Sequence, residues 1–163
     1  MTGPIEKEEH SRTGWLLVLF YPPIVHTQPH PARFFTPTFQ TMIKPTLVLG
    51  ASINPERISF QAVHLLRKYG HPVMALGLKQ GTVADVTISN QPEAFDPGYV
   101  HTVTLYLNPN LQVPYYEQIL AWRPERVIFN PGTENLAFAQ QLEAAGIEPV
   151  FACTLVMLGT RQY

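Results

Sequence analysis

Short apolar runs alternate with amphipathic stretches along residues 42–163, and this alternation predicts the fold. The runs that read as buried strands are 46–49, 73–76, 102–107, 126–129 and 149–152. Helical spacing occupies 59–69, 114–122 and 134–145, with Ser59, Pro114 and Thr133 as the expected starts. The connection from residue 79 to 98 reads as a loop with at most a short strand around 86–88. Strands alternating with helices predict an α/β fold: a doubly wound, mainly parallel five-stranded sheet with helices on both faces.

Residues 1–41 do not share this pattern. They hold six of the chain's 16 prolines, and their apolar run, Trp15–Tyr21, ends at Pro22. The run is too short to cross a bilayer, and the acidic residues before it do not suit a signal peptide. We therefore expect residues 1–41 to be a flexible leader, or sequence upstream of a true start at Met42. Residues 42–163 would form the folded domain.

Composition and charge exclude several function classes. Eleven Lys and Arg against 12 Asp and Glu give a net charge of −1, so no basic surface is expected to attract nucleic acid or an anionic membrane. The single cysteine, Cys153, cannot form an intramolecular disulfide, and no Cys/His spacing suggests zinc. This composition favours a reducing, cytoplasmic setting, with Cys153 as a buried structural residue. It leaves open a protein partner or a homo-oligomer.

Ligands of open parallel sheets bind outside the carboxyl ends of the strands, so the loop after the first strand is the first candidate. Gly50 permits a tight turn there, and the small Ala51 and Ser52 would let backbone N–H groups approach a phosphate. Arg57 could add a charge to a pyrophosphate. With a single glycine instead of G-x-G-x-x-G, the loop fits an ordinary strand-to-helix turn equally well. Its candidate ligand-binding residues are Gly50, Ala51, Ser52, Ile53, Asn54 and Arg57.

The end of the second strand distinguishes between nucleotides. An NAD site would place an acidic residue there for the ribose hydroxyl, but this chain has Gly77 and Lys79. A cation without an acid suits a phosphorylated ribose, which favours coenzyme A (CoA) or NADP over NAD. Lys79 could equally be a solvated loop lysine.

Polar turns follow the third and fourth strands. Asn108-Pro109 ends the third, and Asn130-Pro131-Gly132 ends the fourth, just before a predicted helix. These turns could face a pantetheine or a pyrophosphate, or could simply cap helices.

No catalytic constellation is visible. His64, His71 and His101 all lie away from the carboxyl ends of the strands, and none has a nearby nucleophile and orienting acid at a recognisable spacing. Whether the chain is an enzyme stays open, and an enzyme acting alone is not expected.

Several motifs together resemble the small free-standing CoA-binding domain proteins of bacteria. The resemblance covers residues 42–163 and implies a Rossmann-like fold similar to the CoA-binding domain of the succinyl-CoA synthetase α subunit. The motifs are Gly50-Ala51-Ser52-x-x-Pro55-x-Arg57, Tyr69-Gly70-His71-Pro72-Val73, Tyr106-Leu107-Asn108-Pro109, Asn130-Pro131-Gly132-Thr133-Glu134-Asn135 and Ala152-Cys153-Thr154-Leu155-Val156-Met157-Leu158.

The resemblance also implies a ligand and residue roles. Gly50, Ala51, Ser52 and Arg57 would face the pyrophosphate of CoA, and Lys79 would face its phosphorylated ribose. The chain lacks the synthetase's second domain and phosphorylated histidine, so ligase activity is not implied.

Three hypotheses follow for the function. The first is a binding module for CoA or an acyl-CoA that acts as carrier, sensor or partner subunit. The second is an NADP- or other nucleotide-binding subunit of an enzyme whose catalytic residues lie on another chain. The third is an interaction domain that has lost its ligand.

Overall fold

A computed structural model describes residues 43–163, and these residues form a seven-stranded sheet with helices on both faces. The expected leader, residues 1–41, lies outside the described residues. The strands are β1 Thr46–Leu49, β2 Val73–Leu76, β3 Gly81–Val83, β4 Val86–Ser89, β5 Thr102–Leu105, β6 Arg126–Phe129 and β7 Glu148–Phe151. The helices are α1 Ile58–Lys68, α2 Pro109–Gln112, α3 Tyr116–Trp122, α4 Leu136–Ala144 and α5 Thr154–Gly159. Short 3-10 turns cover Pro92–Ala94, Pro97–Tyr99 and Val113–Tyr115.

The strand order is β3-β4-β2-β1-β5-β6-β7, and all neighbours are parallel except the β3–β4 pair. The chain runs outward from β1 in one direction and from β5 in the other. The order therefore reverses between β1 and β5, which is the place where doubly wound sheets bind ligands. This confirms the predicted fold class.

The predicted number of five strands is wrong, because β3 and β4 form a hairpin inside the segment expected to be mostly loop. Val83 pairs with Val86, so the turn consists of Ala84 and Asp85. Turns of this length usually carry Asn-Gly or Asp-Gly, because they need a positive φ. Here Ala84 has a φ of +53°, so the usual sequence signal is missing.

Alternate residues of each central strand enter two separate cores. On one face Leu47 and Leu49 of β1 pack with Ile119 of α3 and Phe138 of α4. On the other face, Val48 packs against residues of α1 and α5. Because both faces of β1 are covered, the strand is apolar in almost every position, as the continuous apolar run predicted.

The helix boundaries differ from the predicted ones where capping was misjudged. α1 begins at Ile58 after Arg57, so Ser59 lies in the first turn instead of capping it. α4 begins at Leu136 with the Asn135 side chain as its cap, not Thr133. The helix expected over 114–122 is divided into a 3-10 turn and α3, and α2 and α5 were not predicted.

No helix within residues 43–163 is long and apolar enough to cross a membrane.

Replacing Ala84 by glycine should stabilise the fold, because glycine adopts a positive φ without the steric cost that a Cβ brings. We expect Ala84→Gly to raise the free energy of unfolding by about 0.5–1 kcal/mol in urea denaturation. The matched control is Ala137→Gly at an exposed position inside α4, which should lower it by about 0.5–1 kcal/mol. Equal effects of the two changes would contradict the strained turn.

Candidate functional site

The loop after β1 lies at the reversal of strand order and is held by close backbone contacts. Gly50 has a φ of +94°, and a Cβ there would lie 3.0 Å from the carbonyl carbon of Tyr106 and 3.0 Å from the Leu107 side chain. Only glycine satisfies both the backbone angle and this approach. The predicted loop after β1 and the loop after β5 are therefore in direct contact.

The amide groups of this loop are not all available to a ligand. The N–H groups of Gly50 and Ala51 both donate to the Leu76 carbonyl at 2.9 Å. The N–H groups of Ser52 and Ile53 have no acceptor among the described residues. The Asn54 amide is bonded to the Ser52 hydroxyl at 3.1 Å, and the Asn54 side chain accepts from the Glu56 amide at 3.0 Å. Free donors thus lie two residues later than Gly50.

The amino end of α1 adds further donors beside this loop. Arg57 precedes the helix without a side-chain cap, and the first turn contains no acidic residue. The N–H groups of Ile58 and Ser59 have no acceptor among the described residues. An uncapped amino end carries partial positive charge and favours an anion. Glu56 and Arg57, one acidic and one basic residue, are both exposed beside these amides.

The loop after β2 packs against the loop after β1. A Cβ on Gly77 would lie 2.2 Å from the Ala51 carbonyl oxygen, and one on Gly81 would lie 2.6 Å from the Ile53 side chain. Lys79 lies between these two contacts and is exposed. The predicted lysine therefore lies in a loop that contacts the loop after β1 at both of its ends.

The predicted polar turn after β5 is a helix start. The Asn108 side chain accepts a hydrogen bond from the Leu111 amide at 3.2 Å, and Pro109 is the first residue of α2. Both residues thus have a structural role in the loop that contacts Gly50.

Gln112 connects the loop after β5 to the loop after β6. This fully buried side chain donates to the carbonyls of Leu107 and Thr133 at 2.9 and 2.7 Å. Its oxygen accepts from Asn135 at 3.1 Å, and Asn135 also donates to the Tyr116 hydroxyl at 2.6 Å. The network fixes the two loops relative to each other.

The Asn130 side chain is used up inside the protein. It is 3% exposed, donates to the Thr104 hydroxyl and the Leu105 carbonyl at 2.7 and 3.0 Å, and accepts from the Thr154 amide at 2.8 Å. It thereby joins β5, β6 and the start of α5. The sequence predicts that Asn130 binds the ligand, but both polar atoms of its side chain already have partners within the protein.

The turn that follows Asn130 is exposed, but one of its amides is already bonded to a carboxylate of the same chain. Pro131 and Gly132 are exposed, and the Gly132 amide donates to the Glu134 carboxylate at 2.8 Å. A carboxylate of the chain itself thus accepts a hydrogen bond from the Gly132 N–H, which the sequence predicts to face a ligand.

Sequence reasoning missed Gln112, Asn135 and Glu134 as organisers of these loops. Asn135 stands directly before Leu136 and the apolar positions of α4, and asparagine is a strong cap, so this signal was present. Gln112 gave none, because a polar residue in a short helix is usually solvated.

Cys153 differs from its expected place in the core. It is half-buried and immediately precedes α5 at the carboxyl edge of the sheet. Beneath it lie the hydroxyls of Thr104 and Thr154, 2.7 Å apart, and the buried phenol of Tyr106. Burial raises the pKa of Tyr106 to about 12, so this phenol stays protonated. Within residues 43–163, no group of three or more His, Cys, Asp or Glu could hold a metal ion.

A doubly wound sheet whose strand order reverses beside a glycine turn defines a Rossmann-like domain. The sequence profile of the CoA binding domain family matches residues 44–159, and the chain belongs to this family. Family membership indicates CoA binding in general and confirms the resemblance seen in the sequence. No curated protein matches the chain.

Solved structures agree with the fold. An uncharacterized protein of known crystal structure is 44% identical over 74% of this chain and 98% of that chain, with a TM-score of 0.71. A hypothetical protein from Pyrococcus horikoshii OT3 is 25% identical over 75% of this chain and 85% of that chain, with a TM-score of 0.65. A Thermus thermophilus protein is 22% identical over 74% and 91% of the two chains, with a TM-score of 0.65, and supports the fold alone.

Removing the Asn130 side chain should destabilise the domain, because buried polar groups of two elements, β5 and α5, lose their hydrogen-bond partner. We expect Asn130→Ala to lower the free energy of unfolding by roughly 2–4 kcal/mol. The control Asn110→Ala, at an exposed position, should change it by less than about 0.5 kcal/mol. Urea denaturation followed by circular dichroism measures both, and similar values would refute the bridging role.

Proposed function

We propose that the carboxyl edge of the sheet binds CoA or an acyl-CoA, and that the chain acts as a binding module: a carrier, a sensor or a partner subunit. The observation that carries this proposal is the set of free amide groups in the loop after β1 and at the start of α1. Such a set suits a pyrophosphate, because several N–H donors can share its charge.

The pyrophosphate is proposed to lie against the amide groups of Ser52, Ile53, Ile58 and Ser59, with Arg57 nearby. Gly50 and Ala51 support the site differently. Their N–H groups hold the turn against Leu76, so they shape the loop and leave the role of donor to the later amides. This division refines the roles that the family resemblance implied.

The phosphate on the adenosine ribose is proposed to lie beside Lys79. The contact of Gly81 with Ile53 keeps the loop after β2 beside the loop after β1. A ligand bound at the amides of Ser52 and Ile53 would therefore have the loop that carries Lys79 beside it. No carboxylate of the described residues forms an ion pair with Lys79.

The uncharged pantetheine arm, and not a phosphate, is proposed to pass Pro131 and Gly132. The Glu134 carboxylate occupies the Gly132 amide, so a second anion would meet like charge there. The side chains of Asn108 and Asn130 would support the edge from within.

The runner-up is an NADP-binding subunit, because the 2′-phosphate of NADP would suit Lys79 equally well. The two nucleotides differ in the length of the arm beyond the pyrophosphate. Calorimetry with CoA, acetyl-CoA, NADP and NAD on one protein sample separates them. Binding of none of the four would favour the interaction domain.

A negative charge at the free amides should weaken binding. We expect Ile53→Glu, at a position 43% exposed, to weaken CoA binding by at least about tenfold, which corresponds to about 1.4 kcal/mol. The control Ile43→Glu makes the same change at a residue 68% exposed that precedes β1, at the opposite edge, and should leave the affinity unchanged. Unchanged affinity in both variants would move the site away from this loop.

Lys79 should distinguish CoA from dephospho-CoA. A charged hydrogen bond is worth roughly 1.5–3 kcal/mol, so the natural protein should bind CoA about one to two decades more tightly. Lys79→Ala should bind the two ligands alike, whereas the control Lys68→Ala, an exposed lysine at the end of α1, should keep the preference. Equal affinities in the natural protein would remove Lys79 from the site.

A further inference from the structure

A second set of polar residues lies at the amino edge of the sheet, opposite the candidate ligand site. We call it the amino-edge cluster; its members are Lys44, Thr46, His71, Thr102, Arg126 and Tyr163. All of them lie at or before the first residues of β1, β2, β5 and β6, except Tyr163, which follows α5. The CoA proposal uses none of them.

His71 is neutral in this cluster. It is 2% exposed, and its Nδ1 accepts a hydrogen bond from the Lys44 backbone amide at 3.1 Å. An accepting Nδ1 carries no proton, so the ring proton is on Nε2. The ring packs against the Tyr163 ring with their centroids 4.8 Å apart. One imidazole therefore connects the chain before β1 to the chain after α5.

Tyr163 is held on its other sides by hydrogen bonding and by cations. The Thr46 hydroxyl donates to the Lys44 carbonyl at 2.9 Å, so the Tyr163 hydroxyl must donate to Thr46, at 2.6 Å. The Arg126 guanidinium lies 4.7 Å from the ring centroid, and the Lys44 ammonium lies 5.9 Å from it. Such contacts stabilise the cations on the ring face.

Arg126 brings a permanent charge into a nearly closed environment. It is 9% exposed, and its Nε donates to the Thr102 hydroxyl at 3.1 Å. Its Nη2 is buried without a hydrogen-bond partner, and no carboxylate of residues 43–163 forms an ion pair with it. A further positive charge nearby would therefore meet little compensation.

The charged and titratable groups around His71 come from every neighbouring segment. They are Lys44 before β1, Arg67 of α1, His101 before β5, Glu125 and Arg126 at β6, Glu148 of β7, and Tyr163. Arg67 donates to the His71 carbonyl and is paired with Asp85. The carboxylates of Glu125 and Glu148 are exposed, and Glu125 faces His101 at 3.2 Å. The groups facing the His71 ring itself are mainly cationic.

We propose that the amino-edge cluster is an acid-sensitive latch. A proton on His71 Nδ1 would remove the acceptor of the Lys44 amide and would add a cation beside Lys44 and Arg126. The first effect releases the start of β1 from the imidazole. The second sets a charged His71 against Lys44 and Arg126, the two cations that hold the Tyr163 ring, and so loosens the packing of that ring. The latch is closed at neutral pH and opens in mild acid.

The electrostatics agree with this geometry. Burial, and then the charges of Lys44, Arg126 and His101, lower the pKa of His71 below its ordinary value of 6.5. The unfolded chain then binds more protons than the folded chain as the pH falls below about 6.5. The stabilisation is complete above that pH and is lost as the pH falls toward the folded pKa.

His101 provides an internal comparison. Its Nδ1 lies 2.9 Å from the Thr102 hydroxyl, and its Nε2 lies 3.2 Å from the Glu125 carboxylate. Burial lowers the pKa of His101, but Glu125 opposes that shift. A protonated His101 thus has the Glu125 carboxylate beside it, whereas a protonated His71 would have the cations of Lys44 and Arg126 beside it. His71 is the residue expected to control the latch.

The test is thermal unfolding of the full chain, without ligand, from about pH 8 down to about pH 5.5, where most carboxylates stay ionised. The natural protein should lose at least about 3 °C in Tm over this range. His71→Asn keeps an acceptor near Nδ1 but cannot be protonated, so its Tm should be nearly constant. His101→Asn, the matched control, should keep most of the loss. A full loss in His71→Asn would overturn the proposal.

A second measurement covers the case in which His71→Asn does not fold. The imidazole of His71 in the natural protein can be titrated by NMR, with the Tyr163 ring resonances followed in the same spectra. We expect an apparent pKa below 6.5 and movement of both signals together. An ordinary pKa, or Tyr163 signals that do not follow His71, would overturn the latch. Neither readout depends on CoA, so failure here leaves the proposed function intact.

Discussion

The close approach of three backbone segments at the carboxyl end of β1 is the constraint on which the rest of the structure depends. Gly50 lies against the residues that follow β5, and Gly77 lies against the Ala51 carbonyl. Both amides of the Gly50–Ala51 turn are bonded to Leu76, which fixes the start of the loop that carries the free amides. Side chains larger than hydrogen at these glycines would separate the strands or move the loop.

The two edges of the sheet differ in how positive charge is arranged. At the carboxyl edge, uncapped amides leave a partial positive charge exposed, which suits an anionic ligand. At the amino edge, Arg126 and Lys44 are packed on an aromatic ring and kept beside a neutral histidine. The proposed binding site and the proposed pH response therefore lie in separate parts of one small domain. Between the edges, the hydroxyls of Thr104 and Thr154 and the Asn130 amide make a buried polar seam under α5.

The family and the architecture were accessible to sequence reasoning because they rest on local patterns. The parallel sheet was predicted from apolar runs of strand length that alternate with helical spacing. The family was indicated by the Gly50–Ser52 and Asn130–Asn135 motifs. The short strand expected around 86–88 is β4. Its hairpin with β3 was missed because Ala84 takes a positive φ that alanine rarely adopts. Its short strands are formed by pairing with β2, a contact between segments that no local pattern encodes.

The sequence by itself determined which residue types stand at the carboxyl edge: small residues after β1, a lysine without an acid after β2, and polar turns after β5 and β6. Only the tertiary structure decided which of their atoms remain free. The Asn108 side chain caps a helix, and the Asn130 side chain forms buried hydrogen bonds between strands. The Glu134 carboxylate accepts the hydrogen bond of the Gly132 amide. Ser52 and Ile53 keep their amides free. The reason is physical: a hydrogen bond depends on which groups the fold brings within 3 Å or so of each other, and residue type alone does not fix that.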